Sequence, residues 1–528
     1  MMRWLQNAWK QFQDFCVLES DASYLWPRWI MLRAFGLVYV LIFAGIIAYT
    51  PALLGADGIA PIRETIESLR QQYPNALEAF LQAPSLFWFG AGPGMIGALA
   101  WIGLAAAVAV VLNVGPRLGL IACWVCFLSF VSTGHFFSAT QPDQLMLEVA
   151  LLAIPFAPAG WRPGLGTNAP PRAITVCALR FMLFRLMFEA GLAKFVYGCS
   201  LWRDFTAMDV MYQTAPFPTI LGYLDHRMPH AHHVMEILLT FLAEIPAPFL
   251  MLFGGRRWRW FGFIVWGVFQ AGIELTNNFG WLNIAAIALA VVLLDDRMLA
   301  DAARTLRLPR LGGWFAARVA KITVPPVRPW ARWSLRTALA AQALVAIYAY
   351  VVNPLRLDPA SLPASVTTSV DLLFKNFRSA NAYSLFANLQ STRYVVEFVG
   401  SNDGGETWRS YDYRYLAHRV DRMSPFIAPW YPRFDAILQN TTVVTTDQSL
   451  FQAVAAHLLR RDPAIVQLFK NDPFADRPAT MIRMPTYQLT YVDLATHRAT
   501  GRYWIKDFAG DYAPMMLVNE NGDIVAAE

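Results

Sequence analysis

Apolar residues in this chain arrive in blocks about as long as a membrane is thick, and no motif constrains the fold as strongly. A bilayer offers no water to backbone amides, so a crossing segment closes its own hydrogen bonds as a helix of roughly 20 apolar residues. Nine stretches qualify, near 29–50, 95–113, 118–137, 142–158, 174–197, 234–253, 258–276, 279–295 and 337–352. A composition of 56% hydrophobic and 15% charged residues over 528 positions agrees with a polytopic membrane protein. No small-residue cleavage site follows the first apolar run, which reads as a retained anchor.

After about residue 355 the texture changes. In "TRYVVEFVGSNDGGETWRSYDYRY" apolar and polar residues alternate, and Asn402-Asp403-Gly404 is a turn signal. The expected architecture is an α-helical multi-pass membrane bundle of about nine helices over residues 1–354, then a soluble β-rich C-terminal domain over 355–528. Two segments of the first part do not span. Residues 56–85 read as an amphipathic helix on the outer face, and residues 199–233 as an outer loop folded over the bundle. Cys123 and Cys126 make a CxxC spacing, but inside "LIACWVCFLSF", where they read as small apolar residues.

Arginine placement sets the expected topology, because loops on the cytosolic side are enriched in Arg and Lys. With the N-terminus in the cytosol, Arg117, Arg162, Arg172, Arg256, Arg257, Arg259 and the basic stretch 296–336 all fall on the inner side. The short outer loops near 138–141 and 277–278 carry no Arg or Lys. Nine crossings place the C-terminal domain outside the cytosol, at a bacterial inner membrane or, in a eukaryote, the endoplasmic reticulum membrane. The net charge of +6 sits beside apolar runs, so membrane lipids are the expected partner and nucleic acid is not.

The fifth stretch, "LRFMLFRLMFEAGLAKFVYGCSLWRD", holds Arg180, Arg185, Glu189 and Lys194. Charges at bilayer depth are costly, about 2.5–3.5 kcal/mol each on insertion scales, and face a partner or a wet cavity. Arg180 and Lys194 lie about 21 Å apart along the helix, which would let each reach its own interface. Arg185 and Glu189 share a face at i, i+4 and sit too deep for that. Their expected partners are Asp143, Gln144 and Glu148 of the fourth stretch, with Glu236 and Glu244 adding polar groups in the same half of the bilayer. Such a network either fixes helix packing or lines a functional cavity. It matches no Walker loop, nucleophile elbow or HExxH motif, so no catalytic residue, cofactor or metal is assigned. His230, His232 and His233 are metal-capable, but their loop reads as interfacial.

"LFRLMFEAGLAKF" followed by "SLWRDFTAMDVMYQTAPFP" resembles the central signature of the lipase maturation factor family, through Gly191, Leu192, Lys194, Trp202, Arg203, Asp204, Met208, Asp209, Tyr212, Thr214, Pro216 and Pro218. "QPDQLMLE", "NAYSLFANLQ", "GSNDGGETW" and "PFIAPWYPRFD" resemble further family blocks in the same order, and bring in Asn381, Tyr383, Arg433 and Asp435 as candidate residues on the C-terminal domain surface. After Asp435 the sequence "AILQNTTVV" departs from the Trp-rich continuation usual in the family. The resemblance implies a chaperone-like membrane protein that assists folding or maturation of secreted lipases or other exported clients. It also implies a distant likeness of the bundle to vitamin K-dependent carboxylases. The alternative is a membrane enzyme acting on a lipid, quinone or exported protein through the Glu/Arg network. A transporter would want inverted repeats, and none is visible. Alternation places Tyr411, Tyr413 and Tyr415 on one strand face, either a packed ladder or a client- or glycan-binding surface.

Overall fold

The computed structural model describes residues 2–15, 23–134, 140–319, 329–352, 364–444 and 448–527. The expected domain boundary at 354–355, residues 138–139 of the outer turn and residues 320–328 of the basic loop lie outside these. Each of the nine apolar stretches forms a helix. These are α1 (Leu25–Leu53), α2 (Pro93–Val111), α3 (Pro116–Thr133), α4 (Gln141–Phe156), α5 (Ala173–Val196), α6 (His230–Glu244), α7 (Gly255–Asn277), α8 (Trp281–Ala290) and α9 (Pro329–Val352). Among the described residues, α1, α2, α3 and α6 with its continuation Pro246–Phe253 are long and apolar enough to cross a membrane.

Proline sets several boundaries. Pro93, Pro116 and Pro246 occupy first-turn positions, where the missing N–H is no loss. At Pro246 the same ring interrupts the α6 helix after Ile245, because a proline inside a helix clashes with the preceding turn. Large apolar side chains such as Trp101, Leu239, Ile264, Val268 and Leu344 are exposed on the outside of the bundle. Water would penalise such a girdle and lipid would not.

Residues 56–85 are two short helices, Ile62–Gln72 and Ala76–Gln82, which bury Ile62, Ile66 and Ala79. The outer loop is three short helices, Ser200–Arg203, Ala207–Thr214 and Ile220–Asp225.

The C-terminal region has eight short strands: β1 (Arg393–Val396), β2 (Phe398–Ser401), β3 (Arg409–Tyr411), β4 (Met481–Arg483), β5 (Pro485–Tyr491), β6 (Trp504–Asp511), β7 (Met516–Val518) and β8 (Ile524–Ala526). They form an antiparallel sheet ordered β1-β5-β6 and another ordered β3-β2-β4-β7-β8. Only Glu397 separates β1 from β2, and only Met484 separates β4 from β5. The chain therefore changes sheets at two adjacent points, joined by the Glu397 amide donating to the Pro485 carbonyl at 2.9 Å.

The strands share the region with α10 (Arg433–Val444) and the helix Ser449–Leu459, so it is mixed rather than β-rich. "SLFQAVAAHLL" spaces its apolar residues for a helix and buries Phe451, Val454 and Leu458. The turn at Asn402–Gly405 joins β2 to β3. Tyr411 and Tyr413 are buried, and the Tyr413 hydroxyl donates to the Val396 carbonyl at 2.6 Å. These two tyrosines are a packed ladder and not an exposed recognition face.

Candidate functional site

The charges of α4 and α5 meet at one point. Arg185 donates through Nη1 to Glu148 Oε1 at 2.7 Å and through Nε to Glu189 Oε1 at 2.9 Å. All three side chains are buried. The i, i+4 spacing of Arg185 and Glu189 puts them on one face of α5, and Gln144 and Glu148 repeat that spacing on α4. Two carboxylates and one guanidinium would leave excess negative charge, and the remaining acceptor capacity is filled from elsewhere in the chain. Glu148 accepts from Gln342 Nε2 of α9 at 2.8 Å, from the Asn381 amide at 2.9 Å, and from the Tyr383 hydroxyl at 2.9 Å. Glu189 accepts from the Tyr383 amide at 2.9 Å. Arg185 donates on to the Asn381 carbonyl, and Asn381 Nδ2 reaches the Gln144 carbonyl at 3.1 Å.

The network is therefore a socket for residues 379–389, which precede the first strand of the C-terminal region. An irregular segment packed against membrane helices has no water for its amides and carbonyls, so each needs a protein partner. Gln141 brackets Ser384, donating through Nε2 to its hydroxyl at 3.0 Å and accepting from its amide at 3.2 Å. Lys194 donates to the Leu385 carbonyl at 3.1 Å, Trp202 to the Phe386 carbonyl at 2.9 Å, and the Cys199 amide to the Ala387 carbonyl at 3.0 Å.

Asn381, Tyr383, Arg433 and Asp435 are all buried, which corrects their expected place on an exposed surface. Asn381 and Tyr383 enter the socket. Arg433, at the start of α10, makes a two-pronged pair with Asp143 of α4, at 2.9 and 2.6 Å. Asp435 stays within the C-terminal region and accepts from the amides of Tyr415 and Leu416 at 3.1 and 3.2 Å. Burial pushes its carboxyl up to about 7, only partly offset by those amides.

Arg180 and Lys194 are not interface anchors, because both are buried and paired. Lys194 Nζ lies 2.9 and 2.8 Å from the two Glu244 oxygens, with the Trp202 ring 5.2 Å away. Gly191 permits that close approach: a Cβ there would lie 2.7 Å from the Glu244 Cβ. Arg180 donates to the Val292 carbonyl at 3.1 Å and the Tyr24 hydroxyl at 2.9 Å. Beside it Arg259 pairs with Asp295 at 3.1 Å, and the Asp296 carboxylate accepts the amides of Leu25 and Trp26 at the start of α1. Snorkelling works for a side chain facing lipid, whereas these two face other helices.

The other expected residues divide. Glu244 joins Lys194 and not Arg185. Glu236 lies in the outer loop cluster, where it accepts from Tyr212 at 2.6 Å, and Asp209 faces His233 at 2.6 Å. Arg203 and Asp204 are exposed, and Arg203 donates to the Phe195 and Gly198 carbonyls at 3.2 and 3.0 Å.

Both halves of the chain match one family along their length. Residues 26–301 match the lipase maturation factor transmembrane domain, and residues 379–514 match the lipase maturation factor C-terminal domain. The chain belongs to the lipase maturation factor family. It is 26% identical to lipase maturation factor 1 of Bos taurus over 509 residues, covering 92% of this chain and 88% of that protein. Lipase maturation factor 1 of Homo sapiens is 26% identical over 514 residues, covering 93% and 88%. Lipase maturation factor 2 of Rattus norvegicus is 24% identical over 598 residues, covering 94% and 83%. No solved structure matches. With its lipid-facing helices, this family member is a multi-pass membrane protein.

Gln342 and Asn278 are parts of the joint that the motifs do not reveal. Gln342 stands alone in the apolar run "LAAQALVA", and a lone amide in a membrane helix is itself a sign of a polar partner. Asn278 ends α7 and grips the C-terminal region, donating to the Pro425 carbonyl at 2.9 Å and accepting the Ile427 amide at 2.8 Å.

Proposed function

We propose that this lipase maturation factor assists the folding or maturation of an exported lipase, with its C-terminal region, from about residue 355, presented on the outer side of the membrane. The observation that carries the reading is the family match across both the membrane bundle and the C-terminal region. The buried charges support it in a particular way. Beyond their pairing with one another, Glu148, Arg185, Glu189 and Lys194 bond residues 379–389 and Asp143 bonds Arg433, so we read these five as the joint that holds the client-facing region on the bundle. The sequence reading of nine crossings with the Arg-rich loops inside supports a periplasmic or secretory-lumen side for that region.

The test is deletion of the gene in cells that export a lipase, with lipase protein and activity both measured. Activity per molecule of exported lipase is expected to fall while its transcript stays constant, and return of the wild-type gene restores it. Unchanged activity per molecule refutes the reading.

A further inference from the structure

We propose that Asp225, His232 and Glu236 form a divalent transition-metal site of the zinc type on the outer face of the membrane bundle. Asp225 ends the helix Ile220–Asp225, and His232 and Glu236 lie on successive turns of α6. Their i, i+4 spacing points both side chains the same way. His232 Nε2 lies 3.0 Å from Asp225 Oδ1 and 3.6 Å from Glu236 Oε1. All three residues place a ligand atom within 4.8 Å of the others. A tetrahedral zinc ion with bonds of about 2.0 Å sets its donors about 3.3 Å apart, midway between those two distances. An imidazole with two carboxylates is a zinc-type donor set, with a fourth position left for water.

Two further observations point to an ion. Glu236 Oε2 is a buried oxygen with no hydrogen-bond partner among the described residues. Around the triad stands a second layer that orients it, as metal ligands require. Tyr212 donates to Glu236 Oε1 at 2.6 Å, and His233 Nε2 lies 3.1 Å from the Asp225 carbonyl. The side chains of His232, Asp225 and Glu236 are 26%, 22% and 20% exposed, which leaves an entry path from the aqueous side.

The bound ion would clamp the outer loop onto α6. That loop holds the C-terminal region: Tyr223 donates to the Val492 carbonyl at 3.0 Å, and Gln213 accepts the Tyr491 amide at 3.0 Å. Direct hydrogen bonds between His232 and the carboxylates, with no ion, are the competing account, and zinc titration separates the two.

The full chain, purified in detergent, is stripped with EDTA and titrated with zinc chloride by calorimetry. Metal content before stripping is measured by mass spectrometry. One zinc per chain is expected, with affinity at least about tenfold weaker in His232→Ala and in Glu236→Gln. Glu236→Gln keeps an acceptor for Tyr212 and so guards against misfolding. His230→Ala changes an exposed residue outside the triad and should bind as the wild type does. Absence of zinc binding by the wild-type chain overturns the proposal. So does equal binding by wild type, His232→Ala and Glu236→Gln.

Discussion

Replacing Glu148 by glutamine turns one carboxylate oxygen into an amide NH2 and leaves the side-chain volume almost unchanged. Oε1 of Glu148 accepts from Arg185 and Gln342, and Oε2 accepts from the Asn381 amide, Asn381 Nδ2 and the Tyr383 hydroxyl. A glutamine can keep only one of these oxygens. In either orientation its NH2 group faces at least two donors, and Arg185 loses half of its countercharge. Hydrogen bonds to charged groups contribute about 1.5–3 kcal/mol each, so loss of two costs at least about 3 kcal/mol. Breaking a buried ion pair costs a similar 3–5 kcal/mol or so. The strain falls on residues 379–389, which the carboxylates hold. Hydrogen exchange read by mass spectrometry, on protein in detergent or nanodiscs, should show the amides of 379–389 exchanging about 100-fold faster. Peptides of α2, which packs against α1 and α3, should not change. Unaltered protection of 379–389 in Glu148→Gln would refute the view that the membrane charges exist to hold this segment.

The Arg433–Asp143 pair gives a cycle. Asp143→Asn removes the carboxylate charge that faces the buried Arg433 guanidinium and should destabilise by about 3–5 kcal/mol, while Asp143→Asn with Arg433→Met should recover much of the loss. Thermal unfolding followed by proteolysis of the C-terminal region reads both, and equal stability of single and double variants excludes the pairing. Lys194→Met should behave in the same way, with rescue by Glu244→Leu. Asp435 carries a pH dependence: its carboxyl is raised from 3.8 to about 7, so the folded chain binds the proton more tightly. Its contribution is fully present below about pH 4 and fades as pH rises to 7, by roughly 1.4 kcal/mol per pH unit. Asp435→Asn, which cannot titrate, should gain stability relative to wild type between pH 4 and 7, and a pH-independent difference would exclude the assignment. Gly280→Ala should destabilise the joint, because φ there is +71° and a Cβ would lie 2.3 Å from the Trp430 carbonyl oxygen. Melting temperature in detergent checks it, with an unchanged value as the contrary result.

Apolar block length, proline position and the i, i+4 spacing of Arg185 and Glu189 are local properties. The sequence alone therefore determined nine helical stretches and a deep Glu148–Arg185–Glu189 cluster, because a charge inside an apolar helix demands a partner at the same depth. Family signatures carried the lipase maturation factor assignment for the same local reason. Helical phase says which residues share a face, but not whether that face meets lipid, a helix or a returning loop. Arg180 and Lys194 have the spacing of interface anchors, yet the turn Val291–Leu293 after α8 and the helix α6 meet them and make them buried partners. Asn381, Tyr383 and Arg433 lie 196, 194 and 290 residues along the chain from the Arg185, Glu189 and Asp143 that they bond. Nothing in their own segments reveals that they seat in the membrane bundle. Only the tertiary structure decided that, because a buried charge can be satisfied by any donor brought to it, and the fold chose a loop from the far end of the chain.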